Sequence, residues 1–239
     1  MEHYQMTCDG DAKKSANDYI VGNAPATIRY IPNFISEEDE EFLLNCVYSS
    51  PSPKWQQLLN RRLQNWGGLV NSKGLIKDGP LPHWLDSLME KIVNFPDTFP
   101  SDKRPNHVLI NEYKPGQGIL PHTDGSAYYP LISTISLGSH TLLDFYHKPD
   151  IDNITSLEDR YIGSVLVKPR SLILICDDAY EMHHGIDERS KDIIDSNVFN
   201  AEKPEEQKEM ERQTRVSLTI RHCPKVSKFS VGNLLTRRS

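Results

Sequence analysis

The sequence predicts an α+β protein in which helices precede an antiparallel β-sandwich or barrel. Three observations carry this. Two apolar-faced segments with helix start signals occupy residues 36–51 and 82–95. After Pro105 the pattern changes to short, turn-separated runs of strand character. At 239 residues the chain can bury one sizeable core and need not be two domains.

Residues 1–20 are polar and aperiodic and predict a disordered tail ahead of a single domain over 21–239. A short strand is expected at 28–31. Ser36-Glu37-Glu38-Asp39 reads as a helix start, with the serine capping and acids in the first turn. Phe42, Leu43, Leu44, Val47 and Tyr48 supply its apolar face until Pro51. Pro82 suits the first position of a second helix, which buries Trp84, Leu85, Leu88, Met89, Ile92 and Val93 and ends before Pro96. Residues 21–105 thus read as a helical part and 106–224 as the strand core. Strands are expected near 107–113, 131–137, 141–146, 163–167, 171–176, 182–186 and 215–222. An acidic segment, 148–159, interrupts them. So does a charged stretch, 187–213, nearly free of large apolar groups, which predicts a mobile insertion. Residues 225–239 form a basic tail.

Net charge is −6, from 27 basic and 33 acidic residues, so no global field draws the chain to nucleic acid. Local basic surfaces remain: 54–77 holds five basic residues and no acid, and 212–239 holds seven. Cys8, Cys46, Cys176 and Cys223 are scattered, which fits a reducing compartment. No apolar run is long enough for a membrane helix, and a secretion signal is not evident. A monomeric protein of cytoplasm and nucleus, with no membrane partner, is expected.

The chemistry concentrates in 111–124. A strand carrying Asn111 and Tyr113 on one face leads through Pro115-Gly116 to His122 and Asp124. Residues i and i+2 of an extended segment point to one side, so the pair can share a metal ion. With a distant histidine they make a 2-His-1-carboxylate set, whose open positions suit Fe(II) and O2. His183 and His184 are the candidates for the third ligand, and they face opposite sides of a strand. His184 is favoured because Gly185 lets the backbone pass close to a ligand; His140 is a spare. In the last strand Arg215, Ser217, Thr219 and Arg221 alternate with Val216, Leu218 and Ile220. The apolar set is expected to bury against the other sheet, leaving two arginines on the concave side. A small dicarboxylate would pair both; the alternative is an edge strand with its polar face in water.

Read together, these motifs resemble an AlkB-type Fe(II)/2-oxoglutarate-dependent dioxygenase, and Gln64-Asn65-Trp66-Gly67-Gly68, Ser133-Thr134-Ile135-Ser136-Leu137-Gly138-Ser139-His140 and Leu143-Asp144-Phe145-Tyr146 resemble the AlkB homologue 6 subfamily in particular. The family order is matched by Asn111-x-Tyr113, Pro115-Gly116, His122-x-Asp124, His184-Gly185-Ile186 and Arg215-x-Ser217-x-Thr219-x-Arg221. The resemblance implies a double-stranded β-helix, or jelly-roll, core with the N-terminal helices packed on one side and 21–105 contributing a substrate lid. It implies that His122, Asp124 and His184 hold catalytic Fe(2+), that Arg215 and Tyr113 bind the distal carboxylate of 2-oxoglutarate, and that Asn111 and Arg221 lie near its chelating end. Ser217 stands where several relatives carry Asn, and His184 and Arg215 lie farther apart than in compact members.

By the same resemblance, O2 and 2-oxoglutarate are consumed, an N-methyl group is hydroxylated, and formaldehyde leaves. Alkylated RNA or single-stranded DNA is the expected partner, with Trp55, Tyr128 and Tyr129 as stacking surfaces and Arg61 and Arg62, beside Lys54, Lys73 and Lys77, as phosphate contacts. Two alternatives stay open: a protein hydroxylase or demethylase with the same iron centre, and a binding module that turns over weakly.

Overall fold

The computed structural model describes Met6 and residues 14–25, 27–150, 155–201 and 208–227. In chain order its elements are β1 (Ile28–Ile31), α1 (Glu37–Tyr48), β2 (Trp55–Gln57), β3 (Arg62–Trp66), β4 (Gly68–Asn71), β5 (Gly74–Lys77), α2 (His83–Asn94), β6 (His107–Tyr113), β7 (Ile119–His122), β8 (Leu131–Leu137) and β9 (Thr141–Tyr146). There follow α3 (Leu157–Arg160), β10 (Tyr161–Val167), β11 (Leu172–Cys176), β12 (His183–Ile186), β13 (Lys191–Ile194), β14 (Lys208–Glu211) and β15 (Arg215–Arg221).

Two antiparallel sheets face each other. The larger runs β1-β11-β8-β15-β6-β3-β2 and the smaller β10-β9-β12-β7. This is the jelly-roll arrangement that the resemblance implies. The helices start as the sequence indicates. Ser36 and Asp39 form a capping box at α1; at α2, Pro82 stands one position before the first helical residue His83 rather than in it, and makes no side-chain capping bond. Among the described residues no helix is long and apolar enough to cross a membrane.

The faces of β15 sort differently from the expectation. Val216, Leu218 and Ile220 pack with Leu43, Val47, Leu85 and Leu88, so the helices cover the apolar face. The polar residues face the smaller sheet instead. The physical reason is the extra layer: two amphipathic helices need an apolar partner, and the larger sheet supplies its outer face. A second cluster, around Phe145, Val165, Ile173 and Ile175, fills part of the space between the sheets.

Three further expectations are corrected. Part of the stretch expected to be disordered is structured: Ala16–Tyr19 form a 3₁₀ turn capped by Ser15. Buried Ala16 donates its N–H to the Pro96 carbonyl at 2.9 Å. The rest of that tail, apart from Met6, lies outside the described residues up to 13, as does the basic tail beyond 227. Next, 21–105 is not simply helical. β2 and β3 extend the larger sheet, with Leu63 opposite Asn111, and β4 and β5 form a hairpin.

The 187–213 insertion is the third correction, because its described part is anchored. β13 pairs with β14, and Ile194 and Val198 pack on Leu142 and Leu166 of the smaller sheet. Asp192, fully buried, accepts from Arg212 Nε at 2.8 Å and Nη2 at 2.7 Å, and from Arg189 Nε at 3.0 Å. Arg189 also reaches both oxygens of buried Asp144 on β9, at 3.3 and 3.2 Å. Opposite charges satisfy each other, so a stretch that looks solvated by composition lies against a sheet. Residues 202–207 lie outside the described set.

Asp192→Ala would strand Arg212 without its carboxylate and is expected to cost about 3–5 kcal/mol. Leu218→Ala, at a fully buried site, is expected to cost about 2–5 kcal/mol. Leu59→Ala, at 92% exposure, should stay within about 0.5 kcal/mol. Denaturant-unfolding midpoints check all three.

Candidate metal and cosubstrate site

The site grows from one strand pair. In the antiparallel register of β7 and β12, His122 stands directly opposite His184. Their ring centroids are 4.8 Å apart at 49°. Gly185 makes the pairing possible, though not by approaching a ligand. A Cβ there would lie 2.9 Å from the Ile119 carbonyl oxygen and 3.0 Å from the Pro121 nitrogen, so the absent side chain admits the β7 backbone. His183 sits opposite Tyr146 and faces the other way.

Asp124 follows β7 on a loop held by Tyr180, whose hydroxyl donates to the Gly125 carbonyl. Its Oδ2 lies 3.4 Å from His184 Nε2, while Arg221 pairs with its Oδ1. The Leu120 carbonyl can only accept, so His122 Nδ1, 2.9 Å away, carries the proton. Nε2 is then the bare nitrogen. Burial and then the neighbouring His184 push the His122 pKa down to about 4. Burial alone would raise the Asp124 carboxyl; the Arg221 charge, helped by the two imidazoles, outweighs it and holds the group well below the usual carboxylate range.

Among the described residues no three His, Cys, Asp or Glu side chains already stand in a closed metal-binding arrangement. The donors nevertheless fit a divalent ion that takes nitrogen and oxygen. Asp124 Oδ2 is buried without a hydrogen-bond partner and has His184 Nε2 3.4 Å away. His122, directly opposite His184, offers its bare Nε2.

The opposite wall is the polar face of β15 with that of β6. Arg215, Ser217, Thr219 and Arg221 line a cavity of ≈ 70 Å³ with Asn111, Tyr113, His122, Asp124 and His184. Arg215 is 5% exposed and donates from Nη2 to Ser136 Oγ at 2.8 Å. Its Nε has no partner, and among the described residues no carboxylate is paired with it. Burial pushes its pKa down to about 10. A buried, unpaired guanidinium is costly unless an anion joins it.

The expected substrate residues separate. Arg61 Nε donates to Oδ1 of the cavity-lining Asn111 at 3.1 Å. Tyr128 lies under the Arg221 guanidinium, 4.9 Å from ring centroid to Cζ. Tyr129 packs against the main core, and its N–H donates to the His222 carbonyl at 2.8 Å. Trp55 and Arg62 lie on the helix-facing side of the larger sheet. Arg62 covers the Trp55 ring at 4.1 Å and forks onto Glu112 at 2.8 and 2.7 Å, so neither reaches the cavity.

Sequence reading passed over His107. It shares the pocket side of β6 with Leu109, Asn111 and Tyr113, is 3% exposed, and sits opposite Arg221. Burial and the Arg221 charge push its pKa down to about 3. The period-two run 107, 109, 111, 113 was the signal that would have found it.

The sequence profile of the 2OG-Fe(II) oxygenase superfamily matches residues 47–221. The chain belongs to that superfamily. This oxygenase is 50% identical over 214 residues, covering 87% of it and 90% of the other chain, to the Danio rerio protein named "Probable RNA/DNA demethylase ALKBH6". It is 32% identical over 206 residues, 82% of it and 84% of the other, to "Uncharacterized protein L905" of Acanthamoeba polyphaga mimivirus. The first likeness places it among the AlkB homologues. Among solved structures, OsALKBH1 matches at a TM-score of 0.55 and 14% identity, over 82% of this chain and 96% of that one. That likeness speaks for the fold alone. Membership implies Fe(II) and 2-oxoglutarate as the reagents of an oxidative enzyme.

His107 and His122, at about 3 and about 4, both lie below the ordinary 6.5. Below that pH an unfolded chain takes up protons that the folded one refuses. The metal-free protein is therefore expected to lose stability as pH falls from about 6.5 towards 4. His107→Phe should flatten that slope in melting curves recorded against pH.

Proposed function

We propose that this oxygenase demethylates alkylated nucleic acid, RNA or single-stranded DNA, by hydroxylating an N-methyl group. His122, Asp124 and His184 would hold Fe(II). Arg215 and Tyr113 would take the distal carboxylate of 2-oxoglutarate, with Asn111, Ser217 and Arg221 near its other end. The observation that carries this reading is what faces across one cavity: His122, His184 and a carboxylate with an unpartnered oxygen on one side, a buried guanidinium without a counter-ion on the other. The substrate class leans on the Danio rerio relative, whose name carries RNA/DNA demethylase.

The chemistry that iron supplies when bound is O2 activation at the expense of 2-oxoglutarate, which becomes succinate and CO2. The rest belongs to the chain. Ser136 accepts from Arg215 and sets the direction of its fork. The Leu120 carbonyl fixes the His122 tautomer, leaving Nε2 free. Arg221 keeps Asp124 anionic through their ion pair. Ile132, Leu143, Ile173 and Ile186 close the apolar side of the cavity and exclude water. After hydroxylation the hemiaminal collapses to formaldehyde and a free amine.

Purified protein given Fe(II) and 2-oxoglutarate without oxygen is expected to show a weak visible charge-transfer band. His122→Ala and His184→Ala should lose it and His183→Ala should keep it; loss in His183→Ala alone would point to the other histidine. Arg215→Lys keeps the charge but not the fork, and should raise KM for 2-oxoglutarate on the order of 10- to 100-fold. Methylated single-stranded oligonucleotides should stimulate release of succinate and formaldehyde. Stimulation by proteins alone would displace the nucleic acid reading.

A further inference from the structure

His107 is a buried polar group that this reading of the site does not use. Its Nε2 is 2.8 Å from Asn65 Oδ1. An amide oxygen can only accept, so the proton sits on Nε2 and Nδ1 is a bare acceptor. That Nδ1 is buried and has no hydrogen-bond partner. An orphaned acceptor in a strand wall needs a physical account, because leaving it unmade is costly.

Its surroundings narrow what can satisfy it. His107 lies opposite Arg221 in the register of β6 and β15, so both project to the cavity side of the sheet. Arg221 Nε, a donor, is also buried without a partner. The Tyr128 ring lies against both, 5.5 Å from the imidazole centroid and 4.9 Å from the guanidinium carbon. The cluster thus offers an acceptor, a donor and an aromatic face. Ionised 2-oxoglutarate carries only acceptors and cannot satisfy Nδ1. The missing partner must bring an N–H or O–H.

We propose that His107 is a specificity-determining residue that accepts a hydrogen bond from the exocyclic amine of the target base, so that the site favours amino-bearing bases over their oxo counterparts. The inference rests on the nucleic acid reading above. Asn65 is the positioning residue: it holds the proton on Nε2 and so keeps Nδ1 an acceptor. Tyr128 supplies the stacking face.

The test is binding without turnover. Protein loaded with Fe(II) and 2-oxoglutarate is kept free of oxygen and titrated into labelled single-stranded RNA, read by fluorescence anisotropy. The RNAs carry a central 1-methyladenosine or 1-methylinosine, and 3-methylcytidine or 3-methyluridine. Each pair differs by an amine against an oxygen; the accompanying difference in base charge is common to all proteins compared and cancels between them. The ratio of amino over oxo affinity is expected to fall about tenfold in His107→Phe. Asn65→Leu, at a half-buried strand position, leaves the imidazole in place but frees its tautomer, and should lower the ratio in the same direction. Melting curves identify folded variants, and Asn65→Leu decides the matter if His107→Phe does not fold. An unchanged ratio, or equal weakening of both members of a pair, overturns the inference while leaving demethylation standing. If wild-type protein binds none of the RNAs, the nucleic acid reading falls and takes the inference with it.

Discussion

β6 and β15 run side by side at the centre of the larger sheet, and each presents an apolar and a polar face. The apolar faces, Val108 and Ile110 with Val216, Leu218 and Ile220, are sealed by α1 and α2. That burial leaves the polar faces no freedom. A slip of one residue would turn Arg215 and Arg221 into the helix layer and Leu218 into the cavity. The register that stabilises the core therefore also delivers two guanidiniums, Asn111 and Tyr113 to one wall. Stability and chemistry depend on the same alternation.

The smaller sheet answers with its own constraint. Two histidines meet because β7 and β12 pair as neighbours, and they do so only where Gly185 has no side chain to obstruct the Ile119–Pro121 backbone. Burial then keeps the His122 imidazole neutral, and the Leu120 carbonyl decides which nitrogen is exposed to a ligand. Arg221 belongs to both walls. It lines the cavity from β15 and reaches across to Asp124 from the loop after β7, so the two sheets are joined through the site itself.

Much of this was legible in the residues. β1, β6, β8 and β9 have the bounds their patterns suggest, because a half-buried strand writes period two into its own sequence. The motif residues 111, 113, 122, 124, 184, 215, 217 and 221 line one cavity, as their spacing along strands allowed. What escaped has physical reasons. β2 and β3 are short, and their residues read as polar because Gln64 and Arg62 bury their heads against the Val47 carbonyl and Glu112. The 187–213 segment looked solvated because Asp192, Arg189 and Arg212 neutralise one another, and pairing across sequence is invisible to composition. Trp55 looked available for a base, yet its face is taken by Arg62. Which surface a ring meets depends on long-range contacts that no local pattern encodes.

The 187–213 segment, described over 187–201 and 208–213, constrains any redesign. It roofs Leu142 and Leu166 on the back of the sheet that carries both histidines, and it supplies the cations for Asp144, the residue facing Gly185. Pruning it to imitate a more compact relative would uncover oily surface and orphan a carboxylate directly behind the active centre. The segment therefore behaves as a buttress of the strand pair that joins the two imidazoles, and its length cannot be trimmed independently of them.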